Sequence, residues 1–354
     1  LMRIVQLIDS LDSGGAERMA VNYANALSDT IAFSGLIATR KEGVLKQEIK
    51  HIVNYAFLAR KNKFDVNAIF LATKYIKKNK IQIVHAHGSS YFFGVLIKLF
   101  NPKVKLIWHD HYGNRAEDNK QKKVLKICSF FFSKILTVNE ELRIWSLQHL
   151  YCKQVFFISN FSDLKTTKHT TILKGEANKR IVCLANLKNP KNHLTLINAF
   201  IESKIYKENW TLHLIGKDFK DVYSNTLKAL ITEHQLENFV YIHDACQDIK
   251  NILNQATIGV LASTYEGFPV TLLEYAQAKL TVISTNVGFC KSLITHNSNG
   301  LLFQPLDPKE LVKHFEYLAH NPEICANFAA QFQKDIAKNY SKEAILKTYL
   351  KLMN

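Results

Sequence analysis

The sequence is poor in proline and glycine, and its cysteines are not paired. Six prolines and 13 glycines among 354 residues are too few for a collagen-like or linker-rich chain. The six cysteines lie far apart, and no two of them form a C-x-x-C pair. This spacing argues against a disulfide scaffold and against a zinc knuckle, and it favours a reducing compartment.

The chain also lacks a long apolar run. A helix needs about 20 apolar residues to cross a bilayer, whereas the longest apolar stretches, Tyr91–Phe100 and Val124–Val138, are short or interrupted by lysine. The apolar segment Arg3–Ile8 is too short for a signal peptide. We therefore expect a soluble or peripheral protein of the cytoplasm, attached at most to the inner face of the membrane.

Acidic residues are outnumbered by basic ones. The chain has 46 Lys and Arg against 30 Asp and Glu, a net charge of +16, and residues 1–165 carry +12 of it. This excess predicts attraction to polyanions, which include nucleic acid, an anionic membrane and phosphorylated substrates. No nucleic-acid-binding module is recognisable, so nucleic acid is not expected as a partner.

What the sequence does contain is an alternation of short apolar runs with longer amphipathic ones. A length of 354 residues suggests two domains at roughly 100–200 residues each. Val- and Ile-rich strands separated by helices are typical of a parallel sheet with both faces covered. The predicted strands are Arg3–Ile8, Ile31–Ile37, Ile52–Phe57, Ile81–Ala86, Val104–Trp108, Ile135–Val138, Gln154–Ile158, Arg180–Leu184, Thr211–Ile215, Phe239–Ile242, Ile258–Leu261 and Thr281–Ser284. The predicted helices include Glu17–Leu27, Asp65–Lys78, Ala116–Ser133, Asn192–Glu202, Tyr223–His234, Ile249–Asn254 and Val270–Ala278.

A polar stretch interrupts this alternation. Residues Asn160–Lys179 contain four threonines among lysines, and we interpret them as an interdomain linker. The alternation then restarts, which predicts an α/β protein with two doubly wound domains facing each other across a cleft. The expected domains are residues 1–162 and 163–335, and a C-terminal helix in residues 336–354 is expected to pack on the first domain.

The first candidate site is Asp12–Arg18, directly after the first predicted strand, where Gly14 and Gly15 precede a helix. Glycines at such a place let the backbone approach a ligand closely, and the start of a helix attracts anions. The spacing is not G-x-G-x-x-G, so a dinucleotide fingerprint is not supported. A plain strand-to-helix turn explains the segment equally well.

The second candidate site is Ser263–Glu274, which follows another predicted strand. Pro269 suits the first turn of a helix, where its missing N–H costs nothing. The N–H groups of Val270, Thr271 and Leu272 then belong to the first four amides, which a helix leaves unpaired. Their partial positive charge suits a diphosphate at the carboxyl edge of the sheet.

Two carboxylates, Glu266 and Glu274, flank this helix start. They would repel a phosphate that they faced, so they are better used as acceptors for sugar hydroxyls on either side of it. The alternative is one capping and one solvent-facing glutamate. The apolar neighbours of Glu274, namely Leu273 and Tyr275–Ala276, favour the functional interpretation.

With this pair of carboxylates the segment resembles the E-x7-E signature of retaining glycosyltransferases with the GT-B fold, most closely family 4, the glycosyl transferases group 1. Further motifs extend the resemblance to nearly the whole chain, and they are specific in this order and spacing. They are Gly14–Glu17, Val84–His87, His109–His111, Lys191–Asn192 with Leu196–Phe200, Leu214–Gly216, Thr285–Gly288 and Gly300–Phe303.

The resemblance implies two Rossmann-like domains, of which the second binds a nucleotide-diphosphate sugar, UDP- or GDP-linked, as donor. Glu266 would hold hydroxyls of the donor sugar with the amides of Gly267 and Phe268, and Glu274 would hold the ribose. Lys191 would neutralise the diphosphate leaving group. The implied reaction retains the anomeric configuration and uses no cofactor and no metal.

The same resemblance implies further donor-binding positions around Lys191. The family usually has an arginine five residues before this lysine, whereas Asn186 stands there in this chain. Lys188 is the nearby replacement for the missing cation. The backbone positions implied for the donor are Gly14, Gly15, Gly216, Val270, Thr271 and Leu272.

Four histidines, His85, His87, His109 and His111, stand at the ends of neighbouring predicted strands. A His-Asp-His segment can suggest a metal, but a metal site also needs converging third and fourth ligands, and we predict none. We expect a cleft lining in which His109 and His111 are the catalytic candidates that contact donor sugar or acceptor, with His87 also on the acceptor side. The alternative, that at least two of the four are merely packed, stays open.

A basic stretch, Lys120–Lys126, is followed by Phe130–Phe132. Basic residues beside apolar ones favour anionic lipid, to which each nearby cation contributes roughly 1 kcal/mol. We hypothesise a contact between the first domain and an anionic membrane surface. The alternative is a solvated helix face with the phenylalanines in the core.

The sequence thus predicts a glycosyltransferase that moves a sugar from a nucleotide donor to a carbohydrate or lipid-linked acceptor. The resemblance implies a role in the synthesis of bacterial cell-surface polysaccharide. A sugar-nucleotide epimerase of the same fold is one alternative. A non-enzymatic polyanion-binding protein, suggested by charge alone, is another.

Overall fold

The chain divides into two compact units. The computed structural model of the protein describes residues 2–12, 14–112, 122–164 and 170–353. The first unit is Leu1–Phe161 together with Lys342–Asn354, and the second unit is Ser162–Ser341. The domain ends predicted from the sequence, residues 162 and 335, lie one and six residues from the ends of these units at Phe161 and Ser341.

A parallel sheet forms the centre of the first unit. Its strands within the described residues are β1 (Arg3–Ser10), β2 (Phe33–Lys41), β3 (Asn54–Phe57), β4 (Ile83–His87), β5 (Lys105–Asp110), β6 (Lys134–Thr137) and β7 (Val155–Phe157). They lie in the order β3-β2-β1-β4-β5-β6-β7, and the pairings are parallel. The sheet therefore grows to one side from β1 and to the other side from β4.

Helices pack against this sheet. They are α1 (Gly15–Leu27), α2 (Val66–Lys78), α3 (Tyr91–Phe100), α4 (Lys122–Cys128) and α5 (Glu140–His149). Polar residues start two of them, because the carboxylate of Asp65 accepts the amide of Ala68 at 3.1 Å and the side chain of Asn139 accepts that of Leu142 at 2.8 Å. Apolar side chains of the strands, such as the fully buried Trp108, fill the core beneath them.

A second parallel sheet forms the centre of the second unit. Its strands within the described residues are β8 (Arg180–Leu184), β9 (Thr211–Ile215), β10 (Val240–His243), β11 (Ile258–Leu261), β12 (Thr281–Thr285) and β13 (Leu301–Phe303). Their order is β10-β9-β8-β11-β12-β13, again with parallel pairings. This repeats the doubly wound plan of the first unit.

The second unit has its own helices and its own core. The helices are α6 (His193–Ser203), α7 (Val222–Glu233), α8 (Ile249–Asn254), α9 (Val270–Gln277), α10 (Cys290–Leu293), α11 (Pro308–His320) and α12 (Pro322–Tyr340). Asp307 caps α11 by accepting the amide of Lys309 at 3.0 Å, and Pro308 occupies the first turn, where no N–H is needed. The fully buried rings of Phe200 and Phe315 lie in the core.

The last helix, α13 (Lys342–Met353), belongs to the first unit. Extended backbone at Ser341 ends α12, so the C-terminal helix expected in residues 336–354 begins at Lys342, and residues 336–340 belong to α12. The ring of Tyr349 is fully buried and lies 4.7 Å from the ring of Tyr23 on α1. The amphipathic period of α13 therefore buries an aromatic side chain in the first unit.

The predicted α/β class with two Rossmann-like sheets is confirmed, and β8, β9 and β11 have the predicted bounds. Elements that the sequence analysis did not predict include α3, which is apolar on nearly all sides, and β13, which has three residues. Of the predicted helix Ala116–Ser133, residues 116–121 lie outside the described residues, and the rest forms α4 and a turn at Ser129–Phe131. Within the described ranges, no helix combines the length and the apolarity needed to cross a bilayer.

Candidate active site

The second sheet changes its direction of growth between β8 and β11. From β8 the chain continues to β9 and β10 on one side, whereas β11, β12 and β13 lie on the other. In open α/β sheets, ligands bind outside the carboxyl ends of the strands at such a switch point. Lys191 follows β8 and Glu266 follows β11, so the two loops bring these predicted site residues to the same place.

Lys191 and Glu266 form an ion pair at this edge. The Nζ atom of Lys191 lies 2.6 Å from Oε1 of Glu266, and the two side chains are 26% and 11% exposed. The same carboxylate oxygen accepts a hydrogen bond from Oγ of Ser263 at 2.6 Å. Two donors therefore hold one oxygen of the acid in a largely buried position, which fixes the direction of the carboxylate.

Ser263 opens the second candidate segment, but the role of its side chain was not predicted from the sequence. Its carbonyl accepts a hydrogen bond from Oγ1 of Thr285 at 2.7 Å, so the serine is tied to β12 on one side and to Glu266 on the other. It opens the motif that carries Glu266, at a Ser-x-x-Glu spacing that allows the two side chains to interact. That spacing is the signal that could have revealed it.

The backbone of Glu266 lies against Gly288. Gly288 has a φ of +49°, and a Cβ atom there would lie 1.8 Å from the carbonyl oxygen of Glu266. Only glycine fits both this backbone conformation and this close approach. Nearby, the rings of Phe268 and Phe289 stack with their centres 4.8 Å apart. The loop after β12 therefore supports the loop that carries the candidate acid.

The start of α9 differs from the prediction. The amide of Val270 donates to the carbonyl of Phe268 at 3.1 Å, and the amide of Leu272 donates to the carbonyl of Pro269 at 3.0 Å. The expectation that Val270, Thr271 and Leu272 all have unpaired amides is therefore wrong for two of them. The physical reason is an inverse γ-turn at Pro269, with φ −81° and ψ 88°, followed by a tightened first turn.

The helix turns Glu274 inward. This residue is 5% exposed, which excludes the alternative of a solvent-facing glutamate. The next residue, Tyr275, accepts the amide of Leu184 at 2.8 Å and lies 3.1 Å from the carbonyl of Val260. A Cβ atom at Gly259 would lie 2.5 Å from its ring. The tyrosine thus joins β8 to β11 where the two strands separate, and it anchors α9 beneath the site.

The loops after β8 and β9 hold three further predicted donor-binding residues, Asn186, Lys188 and Gly216. The side-chain oxygen of Asn186 accepts the amide of Lys217 at 2.9 Å, and a Cβ atom at Gly216 would lie 2.2 Å from the carbonyl oxygen of Ala185. These contacts hold the two loops together. The ammonium of Lys188 lies 5.8 Å from the centre of the exposed Phe219 ring.

In the first unit, Gly14 and Gly15 follow β1, next to the switch point between β1 and β4. Gly14 is the cap residue of α1, and a Cβ atom there would lie 2.3 Å from Oε2 of Glu17. Among the described residues, a Cβ atom at Gly15 would meet nothing within 4 Å. The space in the side-chain direction of Gly15 is therefore unfilled by the described residues, whereas the carboxylate of Glu17 lies over Gly14.

The four predicted histidines form one cluster. His85 and His87 lie on β4, and His109 lies on β5 with His111 just after it. His87 joins its neighbours through both ring nitrogens, with Nε2 at 2.8 Å from Oε1 of Gln6 and Nδ1 at 2.9 Å from Nε2 of His111. One ring nitrogen from each of His85, His87 and His109 lies within 4.8 Å of the others, so these three residues could hold a metal ion.

The expected cleft lining is wrong for His87 and His109, because both are fully buried. Rings of α1 and α13 cover this face, with Tyr23 6.0 Å from His109. Burial and repulsion between the imidazoles keep the pKa values of His87 and His109 well below the usual value, and burial lowers the pKa of His111 to about 3. His111 is partly exposed and is the one of the predicted acceptor-side histidines that reaches the surface.

The basic stretch followed by phenylalanines is divided in the structure. Lys120 and Gln121 lie outside the described residues, whereas Ile127 and Phe130 are exposed, the latter by 76%, and Phe132 is buried. The interpretation that these phenylalanines belong to the core is therefore wrong for Phe130. Exposed apolar and basic side chains alternate along α4, which leaves an amphipathic surface on the first unit.

Comparison with known proteins identifies the family of both units. A model of the family Glycosyl transferases group 1 matches residues 164–335, and a model of Glycosyltransferase Family 4 matches residues 13–165. Together the two matches cover residues 13–335, which is the chain without its two ends.

Individual relatives are similar over the full length. The chain is 24% identical to the GalNAc-alpha-(1->4)-GalNAc-alpha-(1->3)-diNAcBac-PP-undecaprenol alpha-1,4-N-acetyl-D-galactosaminyltransferase of Campylobacter jejuni and 21% identical to the amylovoran biosynthesis glycosyltransferase AmsD of Erwinia amylovora, with 100% of each chain covered. The crystal structure of Anabaena Alr3699/HepE in complex with UDP-glucose has a TM-score of 0.83 at 18% identity, covering 100% of this chain and 99% of that one. This chain therefore belongs to the group 1 glycosyl transferases with the GT-B fold.

Proposed function

We propose that this protein transfers a sugar, with retention of configuration, from a UDP- or GDP-linked donor to a carbohydrate or lipid-linked acceptor in bacterial cell-surface polysaccharide synthesis. The observation that carries the proposal is the Lys191–Glu266 pair at the switch point of the second sheet. Two relatives support it by their names, since one acts in amylovoran biosynthesis and the other on an undecaprenol-linked glycan. The solved relative binds UDP-glucose, which favours a UDP-linked donor.

Lys191 stabilises the leaving group in this proposal. When the bond between the anomeric carbon and the diphosphate breaks, the electron pair stays on the diphosphate oxygen. An ammonium in a partly buried position lowers the energy of that growing charge more than it would in bulk water. Because a fixed cation already faces this edge, we propose that no metal and no cofactor is needed for the transfer.

The two glutamates hold the donor from both sides. Glu266 accepts hydrogen bonds from hydroxyls of the transferred sugar, and the backbone amides of Gly267 and Phe268 donate to oxygens of the same sugar. The buried Glu274 accepts hydrogen bonds from the ribose hydroxyls. Hydrogen bonds to a charged acceptor are roughly twice as strong as neutral ones. Binding of the diphosphate draws Lys191 away from Glu266, so the carboxylate that the lysine neutralises in the empty site becomes available to the sugar.

The first unit supplies the acceptor side. His111 is the partly exposed histidine at the end of β5, and we assign it to contact with the acceptor or the transferred sugar.

A membrane contact of the first unit would bring it to a lipid-linked acceptor. The exposed Ile127 and Phe130, together with Lys123 and Lys126, suit the surface of an anionic membrane. In a flotation assay, the protein should float with vesicles that contain anionic lipid. The substitution Phe130→Ser should reduce the fraction of protein that floats. An equal fraction with purely zwitterionic vesicles would argue against a charge-dependent contact.

Thermal-shift measurements against UDP, GDP and ADP test the donor first. The nucleotide that binds the folded state raises its apparent stability by mass action, and we expect UDP to give the largest shift. Transfer is then assayed with the matching nucleotide sugar and an undecaprenyl-diphosphate-linked glycan. If the donor alone is converted to an isomer without any acceptor, the protein is an epimerase instead.

Two substitutions test the assigned roles. Lys191→Ala should abolish transfer, and Glu274→Gln should weaken UDP binding by at least ten-fold, because each removes a charged partner of the donor. Lys313→Ala and Glu233→Gln, at exposed positions on α11 and α7, are matched controls and should leave transfer unchanged. Full activity of both site variants would refute these assignments.

A further inference from the structure

A group of buried polar atoms in the first unit has no partner. Within the described part of the chain, no hydrogen-bond partner is found for Nε2 of His85, for either ring nitrogen of His109 or for Nδ1 of His111. Buried polar atoms of folded proteins are nearly always bonded, so each exception needs an explanation. Several unpaired imidazole nitrogens in one cluster indicate that something else binds between them.

The cluster arises from the register of two central strands. Side chains at i and i+2 of a strand lie on the same face of a sheet, so β4 presents His85 and His87 together. In the parallel pairing of β4 with β5, His87 stands opposite His109. The ring centres of His85 and His109 are 5.3 Å apart, and those of His87 and His109 are 5.5 Å apart. Three imidazoles therefore converge on one small volume.

Outer contacts orient two of these rings. The side-chain oxygen of Gln6 can only accept, so Nε2 of His87 carries the proton and its Nδ1 carries a lone pair. The hydroxyl of Tyr349 lies 3.0 Å from Nδ1 of His85, which leaves Nε2 of His85 facing the cluster without a partner. Histidines that bind metals show this arrangement, in which the second nitrogen is bonded to a neighbouring group.

We propose that His85, His87 and His109 bind a divalent transition-metal ion, with Zn²⁺ as the occupant. The ligand atoms are Nε2 of His85, Nδ1 of His87 and one ring nitrogen of His109. Imidazole suits zinc, and zinc binds it at about 2.0–2.1 Å. The ion joins β4 to β5 and, through Tyr349, holds α13 on the sheet. This site is separate from the diphosphate chemistry assigned to the second unit.

The test is metal content of the full chain, freed of any affinity tag because histidine tags bind metals. The protein is refolded from denaturant with Zn²⁺ or with a chelator, since the cluster is buried, and the bound zinc is measured after gel filtration. We expect about one zinc per chain and a melting temperature several degrees higher with zinc. Refolding with Co²⁺ should give the visible absorption of a tetrahedral nitrogen site.

Three variants separate this site from surface binding. His85→Asn with His109→Asn should remove the zinc, whereas His51→Asn, at an exposed position, is the matched control and should retain it. Tyr349→Phe keeps the ring but loses the hydroxyl, and it should weaken zinc binding by about ten-fold or more while the chelator-treated protein still folds. Absence of zinc from the folded wild-type protein, or equal zinc in the double variant, would overturn the proposal.

Discussion

The Nζ atom of Lys191 and the Oγ atom of Ser263 both lie 2.6 Å from the same oxygen of Glu266. At the scale of single residues, these two hydrogen-bond donors have different roles, since Lys191 serves the diphosphate and Ser263 serves the carboxylate. A bound diphosphate would attract the lysine, and the serine would then be the remaining donor that keeps the carboxylate in place. Ser263 is therefore a positioning residue for the acid.

We expect Ser263→Ala to lower kcat/KM for the donor by roughly ten-fold. A hydrogen bond to a charged group is worth about 1.5–3 kcal/mol, and about 1.4 kcal/mol corresponds to a factor of ten. Steady-state kinetics measure the loss, and Ser263→Thr, which keeps the hydroxyl, should restore most of it. Ser298→Ala, in an exposed loop, serves as the control. Wild-type kinetics for Ser263→Ala would show that the serine does not orient the acid.

Single residues also show what the sequence could reveal about the candidate site. Glu266 and Glu274 are predicted from their positions on either side of a helix start, whereas the role of Lys191 is implied by the resemblance of its motif to that of family 4. Gly288 belongs to the Thr285–Gly288 motif, but its role depends on a close approach to the backbone of Glu266, such that a Cβ atom added to Gly288 would lie 1.8 Å from the carbonyl oxygen. That approach is set by how the loop after β12 packs against the loop after β11, and spacing along the chain does not determine it.

At the scale of secondary-structure elements, Tyr275 determines how α9 sits on the sheet. The strands β8 and β11 are paired through Ile181 and Val182, and beyond these residues the hydroxyl of Tyr275 bonds to the amide of Leu184. The sequence predicts the helix but not the hydrogen bond between Tyr275 and Leu184, because a tyrosine in an apolar segment looks like any other residue of the hydrophobic core.

Tyr275→Phe should lower the free energy of unfolding by about 1–3 kcal/mol, the cost of leaving a buried amide without a partner. Urea-induced unfolding at neutral pH measures the change. Tyr317→Phe, at a surface position on α11, is the control and should stay within about 0.5 kcal/mol of the wild type. A stability equal to that of wild type would mean that the Leu184 amide finds another partner.

At the scale of the whole molecule, the alternation of strands and helices was sufficient to predict two doubly wound units. The strands of the second unit were located best because they are short, rich in Val and Ile, and bounded by polar residues. The end of the chain was located less well, since α12 and α13 have the same amphipathic period and only the extended backbone at Ser341 separates them. Periodicity identifies a buried face but not the unit that buries it.

Acid should destabilise the folded chain through histidines that are buried in the neutral form. His213 is fully buried, with Nδ1 at 3.1 Å from Nε2 of His243 and Nε2 at 3.1 Å from Oγ1 of Thr211. Burial, with repulsion from His243 and Arg180 and a partly opposing hydrogen bond to the backbone of Lys174, lowers the pKa of His213 to about 3 from its usual 6.5. The unfolded chain therefore binds a proton below pH 6.5 that the folded chain does not bind.

This difference in proton uptake fixes the sign of the effect. Above pH 6.5 His213 is neutral in both states and contributes nothing, and below it the free energy of unfolding falls by about 1.4 kcal/mol per pH unit. Between pH 7 and pH 5 the wild type should lose about 2 kcal/mol more than His213→Asn, which lacks this group. Urea unfolding followed by circular dichroism at each pH measures the two slopes. The variant can differ from the wild type in stability at pH 7, but parallel profiles for the two proteins would show that His213 takes up its proton equally in the folded and unfolded states.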